Sequence, residues 1–204
     1  VIKNKNIKSL RIFKKNGFYT YSKKKDLVYL KKIQKINKEK KIGLIIQARQ
    51  TSKRLPNKVL KKIKGHSIIE ILLSRLIRSK EINLLIVAIP DNKKNDKLYR
   101  HLKNLYVEIY RGSEQNVLKR YYETAKFYNL KSIVRITSDC PLLNYKILDR
   151  GIKLYNKYRP AYLSNTLPRS TPRGFSIEII NFKALEESYF KAKKIIKKNM
   201  SIII

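Results

Sequence analysis

The amino-acid sequence predicts an α/β protein of the Rossmann-like class, with a mostly parallel, doubly wound sheet and helices on both faces. From residue 41 onward, short apolar runs alternate with amphipathic stretches. Each pair of such segments takes roughly thirty residues, which is the length of a β–α unit. Polar loops follow the apolar runs, as they do at the carboxyl edge of a parallel sheet. This alternation favours consecutive βαβ units.

The first two units are predicted from apolar runs and capping residues. The run Leu44–Ile46 predicts a strand, and Ser67 is positioned to cap the helix that follows it. The buried face of this helix is marked by apolar residues at helical spacing, namely Ile68, Ile69, Leu72, Leu73, Leu76 and Ile77. A second strand is predicted at Leu84–Ile89, ended by Pro90-Asp91-Asn92, and a polar helix follows to about Asn104.

The next two units are predicted in the same way. The run Val107–Tyr110 predicts a third strand, and Ser113 is expected to cap a helix that ends at Tyr128. The core-facing residues of that helix are Val117, Leu118, Tyr121 and Ala125. A fourth strand is predicted at Ser132–Thr137, and a helix is predicted over residues 144–158. One tyrosine of the Tyr121-Tyr122 pair is expected to lie in the core rather than to stack on a base.

Three regions are distinguished by composition. Residues 1–40 hold fourteen Lys and Arg against two acidic residues, which predicts a basic, weakly ordered extension with at most a short helix at Asp26–Ile36. Residues 41–195 form the α/β domain, with a last helix at Phe182–Lys194. Residues 196–204 belong to the ending KKIIKKNMSIII and are expected to be an irregular tail of a truncated chain.

The charge of the chain is its most extreme bulk property, with 49 Lys and Arg against 14 Asp and Glu and a net charge of +35. Such a charge is typical of proteins that bind nucleic acid or anionic membranes. Here the lysines are spread over nearly every segment, so we interpret the charge mainly as a compositional bias. One cysteine excludes an internal disulfide framework. No apolar run approaches the ~20 residues of a membrane helix, so we expect a cytoplasmic protein without a membrane partner.

The loop over residues 45–60, IIQARQTSKRLPNKVL, is the first candidate site. It follows the first predicted strand and carries Arg49, Arg54 and Lys58. Arginine offers a planar fork of donors and lysine a point charge, and both suit phosphate oxygens. The loop therefore predicts a phosphate site at a strand end. A solvated basic loop remains the alternative in so basic a chain.

Asp139, which follows the fourth predicted strand, is the second candidate. A carboxylate at a strand end can hold Mg²⁺ against phosphate oxygens. The alternative is an aspartate that only opens a turn before Pro141. Cys140, His66 and His101 lack the partners that a nucleophile or metal site needs, and two His with one Cys exclude a structural zinc site. No G-x-x-x-x-G-K-[ST] motif occurs, so the chain is not a P-loop enzyme.

Four motifs occur in order over residues 42–190: IIQAR-x-TS-x-RLP-x-KVL, RGSE-x-x-VL-x-RYY, VRITSDCPL and SNTLPR-x-x-PRG-F. Together they resemble the SpsF-type cytidylyltransferases of surface and spore coat polysaccharide synthesis, which are similar to enzymes that activate 3-deoxy-manno-octulosonate and acylneuraminate with CTP. The resemblance implies a nucleotide-diphospho-sugar transferase fold. It also implies a cytoplasmic enzyme that joins CMP to a sugar or sugar acid and releases pyrophosphate, with a homodimer as its expected assembly.

The resemblance also implies roles for individual residues. The nucleotide would be bound by Gln47, Ala48, Arg49, Ser52, Arg54, Lys58, Arg111 and Ser138. Arg49, Lys58 and Asp139 would be catalytic, the first two by holding the β- and γ-phosphates and Asp139 by binding the cofactor Mg²⁺. The acceptor sugar would be bound by Arg135, Asn165, Arg169, Arg173 and Glu178.

Three positions depart from the family pattern. Asn57 stands where the family usually has Gly, and asparagine tolerates the same left-handed backbone. Asn116 and Ser176 each stand where the family usually has Asp, and Glu178 is the acid near Ser176. Two other functions stay open. Ser176 and the early end of the chain motivate a decayed relative that binds nucleotide without turnover, and the net charge of +35 motivates a nucleic-acid-binding protein whose affinity falls steeply with salt.

Overall fold

The computed structural model describes residues 2–3, 18–24, 27–32, 41–52, 55–105 and 107–200. Within the basic N-terminal region, strands β1 (Ile2–Lys3), β2 (Phe18–Lys24) and β3 (Leu27–Lys32) form an antiparallel sheet in the order β1-β3-β2. This differs from the weakly ordered extension that composition predicted. The possible helix at Asp26–Ile36 is wrong over residues 27–32, because that segment pairs as strand β3 with both neighbours.

The main domain is built on a six-stranded sheet. Its strands, in chain order, are β4 (Ile42–Gln47), β7 (Leu84–Pro90), β8 (Glu108–Gly112), β9 (Ser132–Thr137), β10 (Tyr162–Ser164) and β11 (Glu178–Asn181), and a small hairpin pairs β5 (Lys62–Ile63) with β6 (His66–Ser67). The sheet order is β10-β11-β9-β4-β7-β8. Strands β9, β4, β7 and β8 run parallel, whereas β11 and β10 add antiparallel pairs at one edge.

Five helices accompany the sheet: α1 (Ile68–Leu76), α2 (Asp96–Asn104), α3 (Val117–Phe127), α4 (Tyr145–Tyr158) and α5 (Phe182–Met200). Residues of α1, α2 and α4 pack in one core cluster with Leu44, Ile46 and Val87. Residues of α3 and α5 pack in a second cluster with Ile45 and Ile86. Because neighbouring strand residues face opposite sides of a sheet, the helices cover both faces. This confirms the predicted doubly wound class.

Most predicted elements agree with the structure to within a few residues, and three details differ. Ser67 caps α1 as expected, in a capping box with Glu70. The cap of α3 is Asn116 rather than Ser113, because the Asn116 side chain accepts from the Lys119 N–H. Both tyrosines of the Tyr121-Tyr122 pair are buried, not one. Helix α5 continues to Met200, where an irregular tail was expected from residue 196.

Within the part of the chain that the structure describes, no helix combines the length and the apolar character needed to cross a membrane.

Candidate active site

A cleft of about 440 Å³ opens where β4 and β9 end. It is lined by Gln47, Arg49, Ser52, Lys58, Thr137, Ser138 and Asp139. The two strands are adjacent and parallel, with Gln47 paired to Thr137, so their following loops meet at the same edge of the sheet. This is where doubly wound proteins bind their ligands. The structure therefore brings together the loop of residues 45–60 and Asp139, the two candidates that the sequence had indicated separately.

The backbone after Pro56 turns Lys58 into the cleft. Asn57 has φ 56° and ψ 19°, which is the left-handed region that asparagine tolerates better than most residues. Asparagine can therefore occupy a backbone conformation that otherwise favours glycine. A short 3-10 helix, Lys58–Leu60, follows immediately, and its Val59 is fully buried. Because Val59 anchors this turn in the core, the neighbouring Lys58 is held at a defined position.

Gln50 fastens this loop to the domain, although no motif or spacing had indicated this role. Its side-chain oxygen accepts from the Leu98 N–H at 2.7 Å, and its side-chain nitrogen donates to the Asn57 side-chain oxygen at 2.8 Å. Its backbone N–H donates to the Asn95 side chain at 2.9 Å. Leu98 lies in the first turn of α2, where N–H groups have no intrahelical acceptor. One buried side chain thus links the loop to a helix end.

Replacing Gln50 by Leu should therefore destabilise the domain. The change keeps most of the volume but leaves the Leu98 N–H without its acceptor, which costs about 1–3 kcal/mol. Urea unfolding followed by circular dichroism measures this loss. Gln115→Leu, at an exposed glutamine, is the matched control and should change the unfolding free energy little. Equal stabilities of the two variants would show that Gln50 does not hold the loop.

Lys58 and Asp139 form the central ion pair of the cleft. The Lys58 Nζ donates to the Asp139 Oδ2 at 2.6 Å, and the two side chains are 26% and 45% exposed. Burial alone would raise the pKa of Asp139, but hydrogen bonds from Lys58 and Thr137 and the positive charge of Lys58 outweigh it. The pKa of Asp139 is therefore lowered, and the carboxylate is ionised at neutral pH.

Asp139 is suited to hold Mg²⁺. It is an ionised, half-exposed carboxylate that lines the same cleft as Arg49 and Lys58. Magnesium is commonly bound by one or two carboxylates together with substrate phosphates and water, rather than by a cage of protein ligands. In the described residues, no group of three or more His, Cys, Asp and Glu is placed to hold a metal. The donor set therefore fits a magnesium ion that arrives with a phosphorylated ligand.

The other predicted residues of the first loop divide into three groups. Gln47 lines the cleft, and its side-chain oxygen is buried without a hydrogen-bond partner among the described residues. Arg49 and Ser52 also line the cleft. Ala48 does not, because its side chain packs in the core and its N–H donates to the Ala88 carbonyl at 3.1 Å. Arg54 lies outside the residues that the structure describes.

Ser138 and Arg111 have different positions relative to the cleft. Ser138 lines it, and the Ser138 N–H donates to the Gln47 carbonyl at 3.1 Å, joining the two loops. Arg111, predicted to bind nucleotide, is not among the lining residues. Its guanidinium lies 2.8 Å from Asp91 and 2.8 Å from Asp96 and donates to the Asn92 carbonyl at 2.9 Å. These partners make Arg111 a link between β8 and the loop after β7.

Arg135 and Glu178, both predicted to bind the acceptor, are bound to each other. They are cross-strand neighbours on β9 and β11, and the Arg135 Nη1 lies 2.6 and 2.7 Å from the two Glu178 oxygens. The Arg135 guanidinium also lies over the Tyr121 ring, at 5.7 Å from its centre. In this structure the pair joins the antiparallel edge of the sheet to its parallel part.

Asn165, Arg169 and Arg173 belong to the loop between β10 and β11. Asn165 organises this loop, since its side chain donates to the Phe175 carbonyl at 2.8 Å and accepts from the Ile177 N–H at 2.9 Å. Arg169 and Arg173 are exposed, and Arg169 is 3.4 Å from the Ser176 hydroxyl. Because β11 runs antiparallel to β9, this loop lies at the edge of the sheet where β9 ends.

Asn116 belongs to the motif RGSE-x-x-VL-x-RYY, and its role in the structure is to cap helix α3. As the cap of α3, its side-chain oxygen needs only to accept a hydrogen bond, which Asn and Asp do equally well. The Asn for Asp replacement at this position therefore keeps the cap. Glu114, two residues earlier, was not predicted at all. It accepts from Asn92 at 2.5 Å and from the Thr51 hydroxyl at 3.3 Å, which ties the loop after β8 to the first loop.

The fold and the cleft define a nucleotidyltransferase-type α/β domain. The chain resembles the solved CMP-2-keto-3-deoxy-manno-octonic acid synthetase in complex with CTP, with a TM-score of 0.58 at 14% identity over 73% of this chain and 77% of that one. At that identity the likeness concerns the fold alone. The family model for cytidylyltransferases matches residues 44–202. The chain therefore belongs to the cytidylyltransferase family.

Relatives at higher identity agree with this assignment. The chain is 41% identical to an uncharacterized protein of Methanocaldococcus jannaschii over 76% of its length. It is 30% identical to the spore coat polysaccharide biosynthesis protein SpsF of Bacillus subtilis over 72% of its length. It spans 62% and 66% of those two relatives. A cytidylyltransferase from Leptospira borgpetersenii superposes with a TM-score of 0.68 at 38% identity, over 72% of this chain and 63% of that one. These findings confirm the SpsF-type resemblance.

Proposed function

We propose that this chain carries the site of an enzyme that transfers CMP from CTP to a sugar or sugar acid and releases pyrophosphate. The observation that carries the proposal is that Arg49, Lys58 and Asp139 line the same cleft. Two cations and one carboxylate are the groups that a metal-bound triphosphate needs. Membership of the cytidylyltransferase family supports the nucleotide, and similarity to SpsF supports a role in surface polysaccharide synthesis.

The residues of the cleft have distinct tasks in this reaction. A hydroxyl oxygen of the acceptor attacks the α-phosphorus in line, and the bond from that phosphorus to the bridging oxygen of the β-phosphate breaks. The hydroxyl proton passes to solvent, and the bridging oxygen leaves with the pyrophosphate. Arg49 and Lys58 bind the β- and γ-phosphates and stabilise the negative charge that grows on the leaving pyrophosphate. Asp139 would hold Mg²⁺, which would add further charge neutralisation at the phosphates.

We assign the acceptor to the side of the cleft nearest the β10–β11 loop. This loop ends at β11, which pairs with β9, and the last residues of β9 precede Asp139. Arg169 and Arg173 are exposed on it and can approach an anionic ligand, and an arginine fork suits a sugar carboxylate. Arg135 and Glu178 would take part only after their mutual ion pair has opened. The neighbouring Ser176 supplies a hydroxyl in place of the carboxylate that the family usually has.

The experiment is a pyrophosphate-release assay with CTP, Mg²⁺ and a panel of sugar acids and neutral sugars. We expect release that depends on CTP, on the metal and on one acceptor class, and that stops when the metal is removed with a chelator. Retained CTP binding without release for any acceptor would contradict the enzyme and support a decayed, nucleotide-binding relative. Absence of CTP binding, together with salt-sensitive binding of duplex DNA, would favour the alternative function of a nucleic-acid-binding protein, which the net charge of +35 had suggested.

A further inference from the structure

Arg120 is a buried arginine that the reaction described above does not use. It lies in the first turn of α3 and is 1% exposed. Its Nη1 donates to the Ser113 carbonyl oxygen. Its Nε and Nη2 have no hydrogen-bond partner among the residues that the structure describes. Buried polar atoms without partners are rare in folded proteins, and each one calls for a physical reason.

The surroundings of Arg120 disfavour its positive charge in the free chain. Burial is the largest influence and lowers the pKa of Arg120, and the positive charge of Arg49 lowers it further. The amino-terminal end of α3 adds a partial positive charge of its own. Tyr121 and Glu114 exert the opposing influence, and Glu114 already accepts hydrogen bonds from Thr51 and Asn92. The guanidinium therefore has a positive charge that its protein neighbours compensate only in part.

The position of Arg120 connects it to the cleft. Its hydrogen bond to the Ser113 carbonyl holds the loop of residues 113–116, and Glu114 of that loop contacts Thr51, the neighbour of Ser52. Gly112 makes room for the arginine, because a Cβ at that position would lie 3.2 Å from the Arg120 Cγ and 2.9 Å from the Tyr110 ring. The chain thus maintains a buried cation against the loop of residues 113–116, which in turn contacts the first loop through Glu114 and Thr51.

We propose that Arg120 is a positioning residue of the nucleotide site, which fixes the loop of residues 113–116 and supplies positive charge to bound nucleotide phosphates. Its charge is unfavourable in the free chain and becomes favourable when an anion occupies the cleft beside Arg49. This inference rests on the proposed function, because it takes the anion to be CTP. Interactions that lower the stability of a free protein are characteristic of functional sites.

Three substitutions separate the charge of Arg120 from its hydrogen bond. Arg120→Met removes both, Arg120→Gln keeps a donor for Ser113, and Arg120→Lys keeps the charge. We expect the Met and Gln variants to bind CTP about tenfold more weakly than the parent, which is the effect of one favourable charge interaction in a partly buried site. The Lys variant should retain most of the affinity. Cytidine, which has no phosphate, should bind equally well to all of them.

Thermal unfolding of the free chain distinguishes positioning from a purely structural role. Because a hydrophobic side chain of similar size often replaces a buried, poorly compensated charge without loss of stability, Arg120→Met should unfold at or above the parent temperature. The stabilisation that CTP adds should be smaller in this variant than in the parent. Arg150→Met, which removes an exposed arginine on α4, is the control and should leave both quantities unchanged.

Three results would overturn the inference. The first is unchanged CTP affinity in Arg120→Met, which would leave the proposed function intact. The second is a loss of CTP affinity that accompanies an equal fall in the stability of the free chain. The third is an equal loss for cytidine and CTP, since a phosphate-directed charge should not affect the nucleoside. Failure of the parent chain itself to bind CTP would instead contradict the proposed function.

Discussion

Replacing Asp139 by Asn should lower the rate of pyrophosphate release from CTP by about a hundredfold to a thousandfold, the range seen when one transition-state-stabilising group is removed. Asn keeps the shape of the side chain but loses the negative charge that a hard cation such as Mg²⁺ requires. It also removes the partner of the Lys58 ammonium, which lies 2.6 Å away. The rate should be measured at saturating CTP, so that chemistry rather than binding is compared.

The fold should survive this change. The Lys58–Asp139 pair is partly exposed, and such pairs contribute at most about 1 kcal/mol to stability. Glu187→Gln, at an exposed acid on α5, removes the same charge away from the cleft and should leave the rate unchanged. An Asp139→Asn variant with the parent rate would remove Asp139 from the metal-binding role. Global unfolding of that variant would instead show that the pair is structural.

Lys58→Met should have two effects of opposite sign. Turnover should fall about a hundredfold or more, because the pyrophosphate leaves without the ammonium that binds its oxygens. Affinity of the free chain for a divalent ion should rise severalfold, because Lys58 competes for the Asp139 carboxylate when no nucleotide is present. Titration of the free chain with Mn²⁺, followed by electron paramagnetic resonance, measures the second effect without any reaction.

The matched control for this titration is Arg49→Met. It removes one positive charge from the same cleft, but the pair with Asp139 is formed by Lys58. A general electrostatic effect would raise the Mn²⁺ affinity of both variants alike, whereas direct competition predicts a larger rise for Lys58→Met. Unchanged or weaker Mn²⁺ binding by Lys58→Met would mean that the ion pair does not occupy the metal position.

The parallel part of the fold could be predicted from sequence because each element has a clear local signal. Strand β9 was predicted with its observed bounds, since its apolar residues Ile133, Val134 and Ile136 lie between the polar residues Ser132 and Thr137. Strands β10 and β11 were not predicted, because they are three and four residues long and follow a motif that was interpreted for its chemistry. The β5–β6 hairpin has two residues in each strand, which is too short for a periodic signal.

Site residues that follow the end of a strand could be predicted from sequence. Residues whose role depends on contacts with distant parts of the chain could not. Lys58 and Asp139 were each indicated by their position after a predicted strand, and because the parallel strands β4 and β9 end at one edge, the structure brings them into contact. The roles of Gln50 and Arg120 depend on burial and on partners distant in sequence, such as Leu98 and the Ser113 carbonyl. Arg111 was expected to bind nucleotide because it too follows a strand, but its acidic partners are visible only in three dimensions.

The most direct test of the central claim is a calorimetric titration of the chain with CTP in the presence of Mg²⁺, repeated with ATP, GTP and UTP. We predict one binding site for CTP, weaker binding of the other nucleotides, and a loss of about tenfold or more in CTP affinity for Arg49→Met. Arg150→Met, which removes an exposed arginine on α4 away from the cleft, serves as the surface control and should bind as the parent does. Absence of CTP binding by the folded parent chain, or equal affinity in Arg49→Met, would contradict a nucleotide site formed by the loop of residues 45–60 and Asp139.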